Sequence, residues 1–120
     1  MYTTFKSSHD DLLDAAQSLT DERFGPLDRV LAEKSEQAQL SIEVSRETKQ
    51  QSGRVFRAVG HLTVDGESYH AEEWAETLEL AVDRVRDQLV REVRKAHGKA
   101  ARMLRKGGSA LKAMLRFGRK

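Results

Sequence analysis

The side chains in this sequence that are best suited to chemistry are cationic and cluster toward its C-terminal end. Residues 84–120 carry 13 Lys/Arg against 2 Asp/Glu, a net charge of +11, whereas residues 1–83 carry 8 against 17, a net charge of −9. The whole-chain net charge of +2 hides this polarity. A basic segment of such density is typical of a surface that binds nucleic acid or another polyanion.

Within this segment the cations recur at spacings that place many of them on one side of an α-helix. This cationic row consists of Arg84, Arg91, Arg94, Lys95, Lys99, Arg102, Arg105 and Lys106. A solvated helix face would explain a few such residues, but not a third of the chain with almost no acid. A row of this kind can follow a phosphate backbone without reading bases.

Catalytic and metal-binding patterns are missing from the sequence. It has no cysteine and four histidines, which fall on different predicted elements without an i, i+4 pair. There is no Gly-x-Ser-x-Gly nucleophile turn and no glycine-rich phosphate loop. We interpret His61 and His70 as an ordinary exposed cross-strand pair, and Trp74 as the edge of the core. The sequence therefore predicts a protein that is not an enzyme and that uses no metal or cofactor.

A long amphipathic helix that would position the cationic row is predicted over Thr77–His97. Its apolar residues, at spacings of three and four, form one stripe. They are Leu78, Val82, Val85, Leu89, Val93 and Ala96. We expect the Thr77 hydroxyl to cap the first turn and Gly98 to end the helix, although residues 99–106 can continue it.

The remaining elements predict an α+β fold. Residues 2–8, 38–45, 54–64 and 67–74 have strand patterns, with a polar loop at 46–53 and a hairpin turn at Asp65-Gly66. A helix is predicted from Asp10 or Asp11 to Leu31, with a kink or short break at Pro26. The order β-α-β-β-β-α favours a four-stranded mixed sheet with two helices packed on one face. We predict a domain over residues 1–97 and a basic C-terminal extension over residues 98–120.

Two stretches carry a resemblance to a known family. LLDAAQSLTDERFGPLDRVL, at residues 12–31, is similar to the first helix of the ribosome hibernation promoting factor and ribosome-associated inhibitor family, also called the sigma-54 modulation or S30EA family. RAVGHLTVDGESYHAEEWAETLELAVDRVRDQLVREVRK, at residues 57–95, is similar to its last two strands and second helix. The resemblance covers about residues 1–97, and the chain looks like the short form of the family.

The resemblance implies a non-enzymatic, cytoplasmic factor that sits on the small ribosomal subunit between head and body. It would overlap the mRNA channel and the tRNA A and P sites and so block initiation. Carried over by position, the RNA-facing residues are Arg84, Gln88, Arg91, Arg94 and Lys95, with Arg23 and Arg29 of the first helix as secondary candidates. We expect a monomer off the ribosome that binds neither DNA nor a membrane.

Two departures and two alternatives accompany this interpretation. The first strand ends in Ser7-Ser8-His9, where the family often has Gly-Arg, and the basic tail at 99–120 has no clear counterpart. One alternative is a general structured-RNA-binding module on a similar fold. The other is a membrane-surface protein that uses ALKAMLRFGRK, residues 110–120, as a basic amphipathic anchor.

Overall fold

The computed structural model describes residues 1–49 and 53–105 of the chain. Its elements follow the order β-α-α-β-β-β-α, with a 3₁₀ turn at Ala32–Gln37 before the second strand. They are β1 (Tyr2–Lys6), α1 (Asp10–Arg23), α2 (Gly25–Leu31), β2 (Gln39–Lys49), β3 (Gly53–Val64), β4 (Glu67–Ala75) and α3 (Leu78–Arg105). The predicted α+β class and element order are confirmed.

The four strands form one sheet in the order β1-β2-β3-β4. β1 runs parallel to β2, and the two following pairs are antiparallel, so the sheet is mixed as predicted. A parallel pair needs a crossover connection, and α1 with α2 provides it. Asp65 and Gly66 both have positive φ in the turn between β3 and β4, as a tight two-residue hairpin requires.

The core lies between one face of the sheet and the helices. Alternate residues of β2 and β3, such as Leu40, Ile42 and Leu62, are buried with the apolar stripe of α3 in a single cluster. At Gly60 the helix lies close against the strand, because a Cβ built there would lie 2.6 Å from Val85 Cγ1. The outer face of the sheet, which is not covered by these helices, carries Tyr2, Ser41, His61, His70 and Trp74.

The predicted first helix is divided at Phe24, as the expected break at Pro26 requires. Proline lacks an N–H and fits the first turn of a new helix, so α2 begins beside Pro26. The amides of Leu27 and Asp28 both donate to the Phe24 carbonyl oxygen at 3.1 Å. Phe24 and Leu27 are buried, so both halves contact the same core.

The predicted loop at 46–53 is wrong for Arg46–Lys49 and for Gly53, which continue β2 and β3. The register places Arg46 opposite Phe56 on the core side of the sheet, and its guanidinium lies 5.7 Å from the Phe56 ring centre. Arg46 Nη2 also donates to Asp11 Oδ2 at 2.7 Å, a bond that lowers the pKa of Asp11. An arginine stem can cover apolar surface, so a polar sequence here still forms a strand.

The predicted helix end at Gly98 is also wrong, because α3 continues through Gly98 to Arg105. A glycine inside a helix costs about 1 kcal/mol relative to alanine, and the good helix formers around it outweigh that cost. The expected continuation into residues 99–105 is thus confirmed, and the helix crosses the predicted domain boundary. The amphipathic anchor considered at residues 110–120 lies outside the described residues.

Candidate nucleic-acid interface

The helix α3 has one buried stripe and two polar flanks of different character. Leu89 and Val93 of this stripe are fully buried. At the start of the helix the Thr77 hydroxyl accepts a hydrogen bond from the Leu80 amide at 3.1 Å. The predicted N-cap is therefore confirmed. Because the buried stripe fixes the rotation of the helix against the sheet, it also fixes which residues each flank presents.

On the flank of α3 that faces α1, the cations form ion pairs within the protein. Arg23 of α1 lies 2.7 Å from Glu79 and 2.9 Å from Asp83 of α3. Arg86 bonds Asp83 at 3.3 Å and Asp87 at 2.8 Å. Desolvation acts to lower the pKa of Arg23, but the charges of Asp83 and Glu79 outweigh it and raise that pKa. Arg23 therefore joins α1 to α3, and Arg86 supports this contact because its Nη1 also donates to the Arg23 carbonyl oxygen at 3.4 Å.

The opposite flank of α3 carries the first part of the cationic row in an exposed arrangement. Arg84, Gln88, Arg91 and Lys95 follow one another at spacings of four, three and four, and so lie along one side of the helix. Arg91 Nη1 donates to Gln88 Oε1 at 3.2 Å, and Lys95 Nζ approaches Glu92 at 3.9 Å. These contacts extend the side chains along the helix surface.

Arg84 and Arg94 differ in their contacts with the rest of the protein. Arg84 Nη1 donates to the backbone carbonyl oxygen of Trp74 at 2.7 Å, which anchors the start of the row at the end of β4. Arg94 is exposed and makes no ion pair with any residue in the described ranges. A partner can therefore bind Arg94 without first breaking an internal salt bridge.

The structure brings together some of the predicted RNA-facing residues and separates others. Arg84, Gln88, Arg91 and Lys95 share one side of α3. Arg94 is also exposed, but it lies seven residues from Asp87 and so nearer to the ion-paired flank. Arg23 lies on α1 in its ion pairs. Arg29 is exposed on α2. Lys99, Arg102 and Arg105 lie on the last turns of α3, whose side chains are not described, and Lys106 falls outside the described residues. The RNA-binding roles of all the residues named in this paragraph stay predictions.

Trp74 is the residue of this region that sequence reasoning placed wrongly. The sequence predicts Trp74 at the edge of the core, but the residue lies on the outer face of the sheet with 37% of its surface exposed. Its neighbour Ala75 is buried, as is Ala71. The strict alternation of a strand between Ala71 and Ala75 was the signal that places Trp74 outside.

The histidines and carboxylates of the described residues do not gather into a metal site. No group of three or more His, Asp or Glu side chains in the described ranges is arranged to hold a metal ion. His61 and His70 pair across β3 and β4 with ring centres 6.0 Å apart, the exposed cross-strand pair that was expected. None of the described helices combines the length and apolar character that crossing a membrane requires.

The fold and this surface define a class of protein, a small α+β domain whose long helix is apolar toward its own sheet and carries exposed cations on another side. The sequence matches the family described as Sigma 54 modulation protein / S30EA ribosomal protein over residues 3–101. The chain therefore belongs to this family of ribosome-associated modulation factors.

Solved structures agree on the fold. The crystal structure of the Thermus thermophilus Protein Y N-terminal domain matches with a TM-score of 0.58 and 21% identity. The match covers 79% of this chain and 98% of that domain. A search of curated proteins found no sequence match.

Proposed function

We propose that this protein binds the small ribosomal subunit and keeps the ribosome idle, with the cationic row of α3 lying against ribosomal RNA phosphates. In this proposal it works in the cytoplasm without catalysis and covers the mRNA channel and the tRNA A and P sites. Family membership supports a ribosomal partner. The observation that carries the proposal is the exposed cationic flank of α3, set apart from the ion-paired flank.

The state of the cations supports a phosphate partner. Arg23 and Arg86 already have carboxylate partners inside the fold, so an RNA phosphate would have to compete for them. Arg91 and Arg94 are exposed and have no carboxylate partner in the described part of the chain. Guanidinium groups bind phosphate through two parallel hydrogen bonds, which makes exposed arginines good anchors for an RNA backbone.

The shape of the helix favours recognition of RNA backbone over recognition of base sequence. The 28 residues of α3 form a rod about 42 Å long at 1.5 Å per residue. Arg84, Arg91 and Lys95 are long, flexible side chains on one flank of that rod. Such a surface follows phosphates across a folded RNA, whose deep and narrow major groove does not admit side chains.

The acidic part of the chain would orient the protein on its partner. Residues 10–36, which span α1 and α2, carry 8 Asp/Glu against 3 Lys/Arg. Of those three cations, Arg23 is neutralised by α3, and Lys34 lies 3.1 Å from Asp65. RNA should repel this side and attract the exposed flank of α3, so the two sides together favour one docking direction.

The experiment is a charge reversal with a matched control. The variant Arg91→Glu/Arg94→Glu and the control Lys6→Glu/Lys34→Glu change the net charge equally, but the control leaves α3 untouched. Near 0.1 M salt each lost phosphate contact is worth roughly tenfold in affinity. We expect the α3 variant to bind small subunits about a hundredfold more weakly in co-sedimentation, and the control within about threefold of wild type.

Circular dichroism should show the same helix content in all three proteins, because the four changed positions are exposed. Full inhibition of in vitro translation by the α3 variant would contradict the proposal. Equal losses in the variant and its control would show that net charge, not the row, decides binding. Comparable affinity for protein-free duplex RNA would favour the general RNA-binding module instead.

A further inference from the structure

The tryptophan at the end of β4 lies beside the start of the cationic row. Trp74 pairs with Arg57 of β3 across the outer face of the sheet, on a strand that forms the sheet edge. It retains 37% exposure, which is high for a residue type that is usually mostly buried. Two residues later β4 has ended, and α3 begins at Leu78.

Two guanidinium groups border this tryptophan. The Arg57 guanidinium lies 5.8 Å from the centre of the Trp74 ring, a cation–π distance, and Glu72 holds Arg57 by a salt bridge. Arg84 Nη1 donates to the backbone carbonyl oxygen of Trp74 at 2.7 Å, so a second guanidinium is attached to the main chain of the same residue. The indole therefore has a defined position, with the first arginine of the cationic row attached to its own backbone.

We propose that Trp74 stacks on an unpaired RNA base, while Arg84 and the following cations of α3 bind the phosphates next to that base. This inference rests on the proposed function and deepens it by naming single-stranded RNA as the ligand of this corner. A nucleotide presents a flat π-face and an anionic phosphate side by side. The exposed indole and the guanidinium bonded to its backbone can supply one contact to each of these two parts of a nucleotide.

The position of the ring favours an unpaired base over a duplex. In a helix of paired RNA the faces of the bases are stacked on each other, so an indole could reach phosphates, ribose and base edges but not the base faces on which it would stack. Unpaired bases expose their faces and stack on aromatic side chains with little regard to sequence. Glu76 is exposed just beyond Trp74, so phosphates are expected on the Arg84 side of the ring and not over the β4–α3 connection.

The test uses the fact that Trp74 is the single tryptophan of the chain, so its fluorescence reports on this site alone. Full-length protein is titrated with a single-stranded RNA of about twelve nucleotides and with the duplex of the same sequence. We expect the single strand to quench Trp74 emission in a saturable way. The duplex should bind, as followed by the anisotropy of a labelled strand, with little quenching.

Two substitutions separate stacking from general attraction. Trp74→Leu removes the ring and should weaken single-strand binding about tenfold by anisotropy, since stacking on one aromatic residue is worth about that factor. It should change duplex binding less than twofold. Trp74→Phe keeps a smaller ring and should restore most of the affinity. Unchanged melting temperatures of both variants would show that the fold is intact.

Several results would overturn the inference. They are no single-strand binding by the wild-type chain, binding without quenching, and equal losses of single-strand and duplex binding in Trp74→Leu. Loss of small-subunit binding in Trp74→Leu with unchanged RNA affinity would also overturn it, and would assign the ring to a ribosomal protein. The proposed function fails separately, if wild-type protein does not bind small subunits or Arg91→Glu/Arg94→Glu binds them normally.

Discussion

Replacing Gly60 by alanine should destabilise the protein, because α3 rests directly on this position of β3. A Cβ at residue 60 would lie 2.6 Å from Val85 Cγ1 and 3.1 Å from Leu89 Cδ1. Ordinary carbon–carbon contacts are about 3.5–4.0 Å, so the first overlap is close to 1 Å. Val85 is β-branched and has one preferred rotamer in a helix, so it cannot turn aside. The helix or the strand must shift.

The size of the effect follows from two opposing contributions. Overpacking of this kind costs about 1–3 kcal/mol, and the lower backbone entropy of alanine in a strand offsets about 0.5–1 kcal/mol. The net loss should be about 1–2 kcal/mol of unfolding free energy. For a domain of about 100 residues this lowers the melting temperature by roughly 5–15 °C. Thermal and urea unfolding followed by far-UV circular dichroism would measure it.

A second substitution tests whether Val85 is the cause. Val85→Ala alone leaves a cavity and should destabilise the protein. Combined with Gly60→Ala, the new methyl group fills part of that cavity, so the double variant should lose less stability than the sum of the two single losses. A coupling energy of about 1 kcal/mol is expected. Additive losses, or a Gly60→Ala protein as stable as wild type, would refute the reasoning about how closely α3 sits.

Four smaller changes test other parts of the structure. Thr77→Ala removes the cap of α3 and should lower the unfolding free energy by about 1 kcal/mol in urea denaturation. Arg94→Gln should reduce the salt-dependence slope of ribosome binding by about 1, as the loss of one phosphate contact requires. Arg23→Gln should lower the melting temperature but leave ribosome affinity unchanged, because Arg23 joins α1 to α3. Burial raises the pKa of the Tyr69 hydroxyl, so above about pH 10 the folded protein keeps this proton while the unfolded protein loses it. In pH-dependent unfolding the free energy of unfolding should therefore fall as the pH rises above about 10, and Tyr69→Phe should reduce that fall.

Periodicity was sufficient for most of the fold. Clean alternation in residues 38–45 and 54–64 predicted strands with the correct inward residues, since Leu40, Ile42 and Leu62 are all buried. Spacings of three and four predicted α3 and its buried stripe. These patterns succeed because a strand and a helix each repeat with a fixed period, so burial on one side shows directly in the order of residues.

The predictions at Arg46 and Gly98 failed for two different physical reasons. Arg46 belongs to a run without apolar residues, and only its contacts with Phe56 and Asp11 show why a strand continues there. Gly98 is a common helix stop, but the ends of helices depend on competition between small energies, and here the neighbouring residues continue α3. Contacts between elements decide the first case, and a balance of small energies within one helix decides the second.

The sequence by itself determined the element types, the mixed one-sided sheet and the concentration of cations toward the C-terminal end. It could not determine which cations are available to a partner, because Arg23 and Arg91 look alike until α1 is packed against α3. Tertiary structure made that choice by placing Glu79 and Asp83 within reach of Arg23 while leaving the other flank of α3 exposed. It also placed Trp74 next to Arg84, since the distance between two side chains on different elements depends on how those elements pack and not on their separation along the chain.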